Sequence, residues 1–130
     1  MYIRFAQTRR DSACRVAPGL FQASHRLPPF DVTDWRHHEI RRLYGWFNGN
    51  LAVPDRLSAK VGRHGARRGV CWIADDAARM VSEARYLAWL LEDIGIPINE
   101  LRSHRPGVPI FADTHQIVVI PEANAPVTLH

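Results

Sequence analysis

The sequence predicts an α+β fold, a single domain with a mostly antiparallel sheet and its helices packed on one face of it. Three observations carry that prediction. Strand-like runs rich in β-formers lie at the beginning of the chain, near its middle and in its last third. Between them, two long stretches repeat apolar residues at the helical period. The last three strand-like runs are separated by only a few residues, which implies antiparallel neighbours. A chain of 130 residues, 46% apolar, can build one core and is too short for two. The expected order is β-α-α-β-α-β-β-β, about five strands. Residues 1–121 form the domain and 122–130 a loose tail.

Each element has its own warrant. "MYIRFA" alternates and opens the sheet. "LFQASHRL" has helical spacing at Leu20, Ala23, Ser24 and Leu27, and Pro28 and Pro29 keep that helix short. Thr33 or Asp34 caps a longer helix over about 34–48, with a stripe of Ile40, Leu43, Tyr44 and Phe47, and Gly49 suits the residue that ends it. "GVCWIA" at 69–74 is a short apolar run of β-formers. Asp75 or Asp76 is expected to cap the best helix, roughly 76–94, whose apolar face runs from Ala77 and Met80 to Leu91 and Ile94 and which Gly95 closes. "INELRSH", "VPIFAD" and "QIVVIP" then form a three-stranded meander.

Composition narrows the setting. No apolar run approaches the roughly 18 residues of a membrane span, and nothing at Met1 reads as a signal peptide, so a cytoplasmic protein with no membrane partner is expected. Cys14 and Cys71 stand far apart with no CxxC, and two reduced thiols are the expectation. Sixteen Arg and one Lys give a net charge of +4. The cations cluster: residues 1–26 carry five Arg against one Asp, 56–68 carry five cations and no acid, and acids dominate 75–101. Such polarity draws an anionic partner to one end of the molecule.

The strongest candidate site is the glycine-rich loop at about 55–68. Arg56, Lys60, Arg63, Arg67 and Arg68, with His64 among them, suit several phosphates at once, and Trp72 offers a ring on which a base can stack. Arg9, Arg10 and Arg15 can add to it. The alternative is a solvated loop above a core tryptophan. The spacing matches neither GxxxxGK[ST] nor GxGxxG, and no cofactor is expected. His37 and His38 are neighbours on a helix, about 100° apart, so they cannot chelate together, and no metal site is expected. A metal-independent ribonuclease would use His64 as acid or base with Arg67 and Arg68 on the phosphate, joined by His104 and Arg105 or by His115. Glu100 and Arg102 share a strand face as an ion pair. Trp35 and Trp46, three helical turns apart, share one side of a helix and can anchor a protein partner.

The segments "YIRF", "GLFQA", "WFNGNLAVPDR", "GVCWI", "LLEDIGI" and "HQIVVIP" together resemble a family of small bacterial proteins, about 130 residues long, to which no activity attaches. The resemblance implies a bacterial, single-domain, cytoplasmic protein of the kind carried on mobile DNA. It implies no reaction, cofactor or catalytic residue. Three functions are therefore open. The first is a binding protein that engages nucleic acid, RNA or DNA, or a nucleic-acid-like acidic protein surface. The second is an inhibitor or accessory factor acting on host nucleic-acid machinery through a protein interface, as anti-CRISPR proteins do. The third is a small ribonuclease toxin.

Overall fold

A computed structural model of the chain describes residues 1–7, 19–25, 33–52, 58–60, 66–122 and 125–129, giving the backbone for 58–60 and 66–68. Its elements are β1 (Tyr2–Gln7), α1 (Leu20–His25), α2 (Trp35–Asn50), β2 (Ser58–Lys60), β3 (Ala66–Arg68), β4 (Val70–Ala74), α3 (Ala78–Asp93), β5 (Ile98–Ser103), β6 (Gly107–Ala112), β7 (Gln116–Pro121) and β8 (Thr128–Leu129). Six strands make one sheet in the order β6-β7-β4-β1-β5-β8, with every pairing antiparallel. β2 and β3 form a separate two-stranded ribbon. This is the α+β class that the sequence predicts, with more strands. No helix among the described residues is long and apolar enough to cross a membrane.

Alternation along the strands sorts residues onto two faces. Ile3, Phe5, Ile73 and Ile98 join the main core with Leu43, Leu87 and Leu91 of the helices. Trp72, Ile117 and Val119 bury on the other face, with the partly buried Tyr2, Val70 and Leu101 packed beside them. The helices therefore cover one face, as expected.

Asp34 caps α2, its carboxylate accepting from the backbone N–H of Arg36 at 2.9 Å. Three expectations about helix ends and strand pairing fail. Gly49 does not end α2: the helix runs through it to Asn50, and Leu51 stops it by turning extended while its N–H still reaches the Phe47 carbonyl at 2.8 Å. Neither Asp75 nor Asp76 caps α3. The two form a turn that the Ala77 N–H closes on the Ala74 carbonyl at 3.1 Å, so Ala77 is left at the cap position with no side-chain bond. Gly95 does close α3, with φ of 97°.

The third failure concerns the meander. β6 and β7 pair, but β5 pairs with β1 and β8 and lies four strand steps from β6. Tracing the antiparallel pairings from strand to strand shows that β5 and β6 run in the same direction, so the chain passes between the flanks of the sheet without reversing. In a flat sheet the flanks would be about 19 Å apart, whereas the step from Ser103 to Gly107 reaches at most about 14 Å. The sheet therefore curls until its flanks approach. The connection is pinned: the Ser103 hydroxyl accepts from the Arg105 N–H at 3.1 Å and donates to the Pro126 carbonyl. Gly107 is required there, because a Cβ would collide with the Ile120 carbonyl of β7. The expected tail supplies β8, whose Leu129 lies opposite Leu101.

Leu87 is fully buried in the main core, whereas Leu129 is 65% exposed. Leu87→Ala should cost about 2–5 kcal/mol in urea unfolding and Leu129→Ala within about 0.5 kcal/mol. Equal losses would contradict this assignment of the core.

Candidate functional site

The basic segment is attached to the fold at both of its feet. Before it, the Ala52 carbonyl accepts from the Gln116 side-chain amide at 2.6 Å, and Gln116 Oε1 accepts from the Cys71 thiol at 3.1 Å. Gln116 is only 2% exposed, so this chain of bonds ties the end of the α2 segment to β7 and β4 from within the core. After it, β3 leads through Gly69 directly into β4. Between the feet lies the ribbon, in register Ser58↔Arg68, Ala59↔Arg67 and Lys60↔Ala66. Strand alternation puts positions 60 and 68 on one face of the ribbon and 67 on the other.

The predicted site residues are distributed unequally. Lys60, Arg67 and Arg68 belong to the ribbon strands. Arg56, Arg63 and His64 lie outside the described residues, as do Arg9, Arg10 and Arg15. Trp72 departs from its expected role: it is 5% exposed, on the face of β4 away from the helices, and its ring is packed with Ile117 and Val119 instead of offered to a base. A tryptophan between Cys71 and Ile73 in a central strand points opposite to them, and the curled sheet buries that direction too.

Charge is polarised along β4. Its Val70 end meets the ribbon, while its Ala74 end runs into Asp75 and Asp76, both exposed. The Asp113 turn lies at the same end: Asp113 accepts from the His115 N–H at 2.8 Å, and the His115 carbonyl accepts from the Ala74 N–H at 2.8 Å. The five residues of β4 span roughly 13 Å from Val70 to Ala74. His115 is thus at the far end of the strand from Arg67 and Arg68. Among the described residues no group of three or more His, Cys, Asp or Glu could hold a metal ion.

The helix layer carries the second set of candidates. Trp35 is 54% exposed. Trp46 is not its exposed twin: it packs edge-on against Phe47 at 5.0 Å, and the Arg79 guanidinium lies 5.3 Å over its ring. The other exposed indole is Trp89, 52% exposed and stacked on Tyr86 at 6.2 Å. Its position off the apolar stripe of α3 was the sequence signal for it. Arg36 clamps the helices together, bonding both Asp34 oxygens at 3.0 and 2.8 Å and the Asp93 carboxylate at 3.0 Å. The side-chain bonds from Arg36 hold the Asp34 carboxyl down at about 2. Glu39 accepts from Arg42 and from the Tyr86 hydroxyl, both at 2.9 Å, and these bonds lower its pKa.

A shallow groove of about 190 Å³ runs between α3 and β5, lined by Phe5, Arg85, Trp89, Glu92, Ile98 and Glu100. Arg85 bridges it to Glu100 at 2.8 Å, and Arg102 reaches the same carboxylate at 3.2 Å, the ion pair that the strand spacing implies. Burial pushes the Cys71 thiol up to about 12, against the pull of Arg4. It is a packing residue, not a nucleophile. Comparison of the chain with family models, with curated proteins and with solved structures finds no match in any of the three.

In a Cys14→Ser chain near pH 8, a disulfide reagent should label Cys71 at least about a hundredfold more slowly in the folded than in the unfolded protein, since thiolate is scarce below a raised pKa. Similar rates would show that the thiol is open to solvent.

Proposed function

We propose that this chain is a small binding protein that engages nucleic acid through the basic segment 56–68. One observation supports the reading above the others: Lys60, Arg67 and Arg68 belong to a two-stranded ribbon outside the main sheet and joined to its central strand, not to an irregular loop. Arg63 and His64 fall in the five residues joining its strands, and Arg56 precedes them. A ribbon of this kind brings Lys60, Arg67 and Arg68 to one element, at the opposite end of β4 from Asp75 and Asp76. The phosphate backbone is the ligand such a surface suits, because neutralised phosphates release their counterions on binding. No enzymatic role follows from the described residues. Trp72 takes no part in this binding, being in the core.

A second reading rests on the half-exposed Trp35 and Trp89. Exposed indoles have the composition of a protein-binding hot spot, which fits a factor acting on host nucleic-acid machinery. Such binding tolerates salt and is lost in Trp35→Ala and Trp89→Ala.

Fluorescence anisotropy of a labelled oligonucleotide over a salt series tests the first reading. Five neutralised phosphates predict a loss of affinity of roughly 500-fold between 50 and 200 mM salt. Combining Arg63→Ala, Arg67→Ala and Arg68→Ala should lower the slope of log affinity on log salt by about 3. A salt-independent affinity, or one that the triple variant keeps, would contradict the proposal.

A further inference from the structure

We infer that the edge of β5 away from β1 is a self-pairing surface: β8 covers it in the single chain, and release of β8 lets the β5 of a second copy of this chain take its place. The first observation is the direction of the backbone. In an antiparallel strand the N–H and C=O of one residue point to the same side, and successive residues alternate. The Ile98 N–H donates to the Glu92 carboxylate at 3.4 Å, away from β1. Ile98, Glu100 and Arg102 therefore turn their backbone groups to the outer edge, and Asn99, Leu101 and Ser103 turn theirs to β1. The neighbouring strand agrees. The Asp75 N–H donates to the Met1 carbonyl at 3.2 Å, so odd positions of β1 face β4, and Tyr2, Arg4 and Ala6 face their partners Ser103, Leu101 and Asn99.

The second observation is how lightly β8 is held. It meets the edge with Thr128 opposite Arg102 and Leu129 opposite Leu101, and the Ser103 hydroxyl donates to the Pro126 carbonyl beside them. Its side chains add little, since Val127 is 45% and Leu129 65% exposed. A strand fastened mainly through its backbone belongs to the part of a fold that opens locally. β6 starts from the Ser103 end of β5 and continues in the same direction, so among the described strands it does not lie alongside this edge.

The third observation is that the covered edge is complementary to itself. A two-fold axis through Leu101 sets Leu101 against Leu101 of the second copy, and sets Glu100 against Arg102 of the second copy twice. The leucine contact repeats the one that Leu129 makes now. Glu100 and Arg102 are also positions whose backbone groups face outward, so the oppositely charged pair is the pair that exchanges hydrogen bonds. Arg102 has a use for the second carboxylate. Its Nη2 donates to Glu100 of its own strand at 3.2 Å, but its Nε is buried without a hydrogen-bond partner. Thr128 stands opposite Arg102 in the single chain and leaves that donor unmet. A glutamate in its place can accept from it. An uncovered strand edge is a template for pairing with another chain, and β8 withholds this one.

The test uses the full chain. Thr128→Pro removes the backbone N–H that faces Arg102 and so detaches β8, at an exposed position outside the core. At about 100 μM, well above a micromolar dissociation constant, the Thr128→Pro chain should sediment as a dimer and the native chain as a monomer. Adding Glu100→Arg or Arg102→Glu to Thr128→Pro sets like charges opposite each other and should weaken the dimer at least about tenfold, each change counting twice by symmetry. Mixing those two chains should restore a dimer, because opposite charges then face each other again. Circular dichroism checks folding, and Ser103→Ala, which frees the Pro126 carbonyl, repeats the comparison if the proline variant loses its fold. A folded Thr128→Pro chain that stays monomeric, or a native chain that dimerises equally well, would overturn the inference. A dimer indifferent to both charge changes would overturn the β5 pairing.

Discussion

The fold depends on β4 being satisfied on every side. It is paired with β1 at Ile73 and Ala74 and with β7 from Val70 to Ile73, its Ile73 faces the helices, and its Trp72 faces the interior of the curled sheet. A strand held on both edges and both faces cannot shift register without exposing one set of side chains and stranding the other. The basic ribbon and the acidic turn hang from its two ends. The ribbon continues it at Val70, and the acidic turn leading into α3 leaves it at Ala74.

The curl of the sheet follows from the same economy of chain. Three residues between Ser103 and Gly107 join strands that sit on opposite flanks, so the flanks must come together, and the face away from the helices becomes an interior. That explains why a chain with helices on one side only still buries Val119 completely on the other. It also explains why Trp72 is a structural residue. The helix layer is fastened by polar bonds at its rim, Arg36 to Asp34 and Asp93, and Glu39 to Tyr86, around an apolar centre of Leu43, Leu87 and Leu91.

Much of this was legible in the sequence where the signal was local. The apolar stripe of α3, the Asp34 cap, the φ-positive Gly95 and the alternation in β1 and β7 are decided by neighbours within a few positions. What the sequence hid was decided at a distance. The partner of β5 depends on which edge β1 and β8 occupy, and a short gap such as "SHRPG" looks the same whether the chain reverses or not. Whether Asp75 and Asp76 cap or turn depends on where the Ala74 carbonyl points. Gln116 reads as the polar start of a strand, and only the fold reveals that it joins Ala52 to Cys71 at the root of the basic segment. The ribbon within that segment was hidden for the same reason, since glycines and arginines carry no strand periodicity. The exposed aromatic pair moved from Trp35 and Trp46 to Trp35 and Trp89 because Arg79 and Phe47 cover Trp46.

Two surfaces thus compete for the role of binding site, the ribbon at one end of β4 and the indoles on the helix layer, and amide hydrogen exchange with and without a nucleic-acid oligomer separates them most directly. The account predicts that the added oligomer slows exchange at 58–60 and 66–68 and leaves α2 and α3 unchanged. Protection centred on Trp35 and Trp89, with the ribbon amides unaffected, would contradict it.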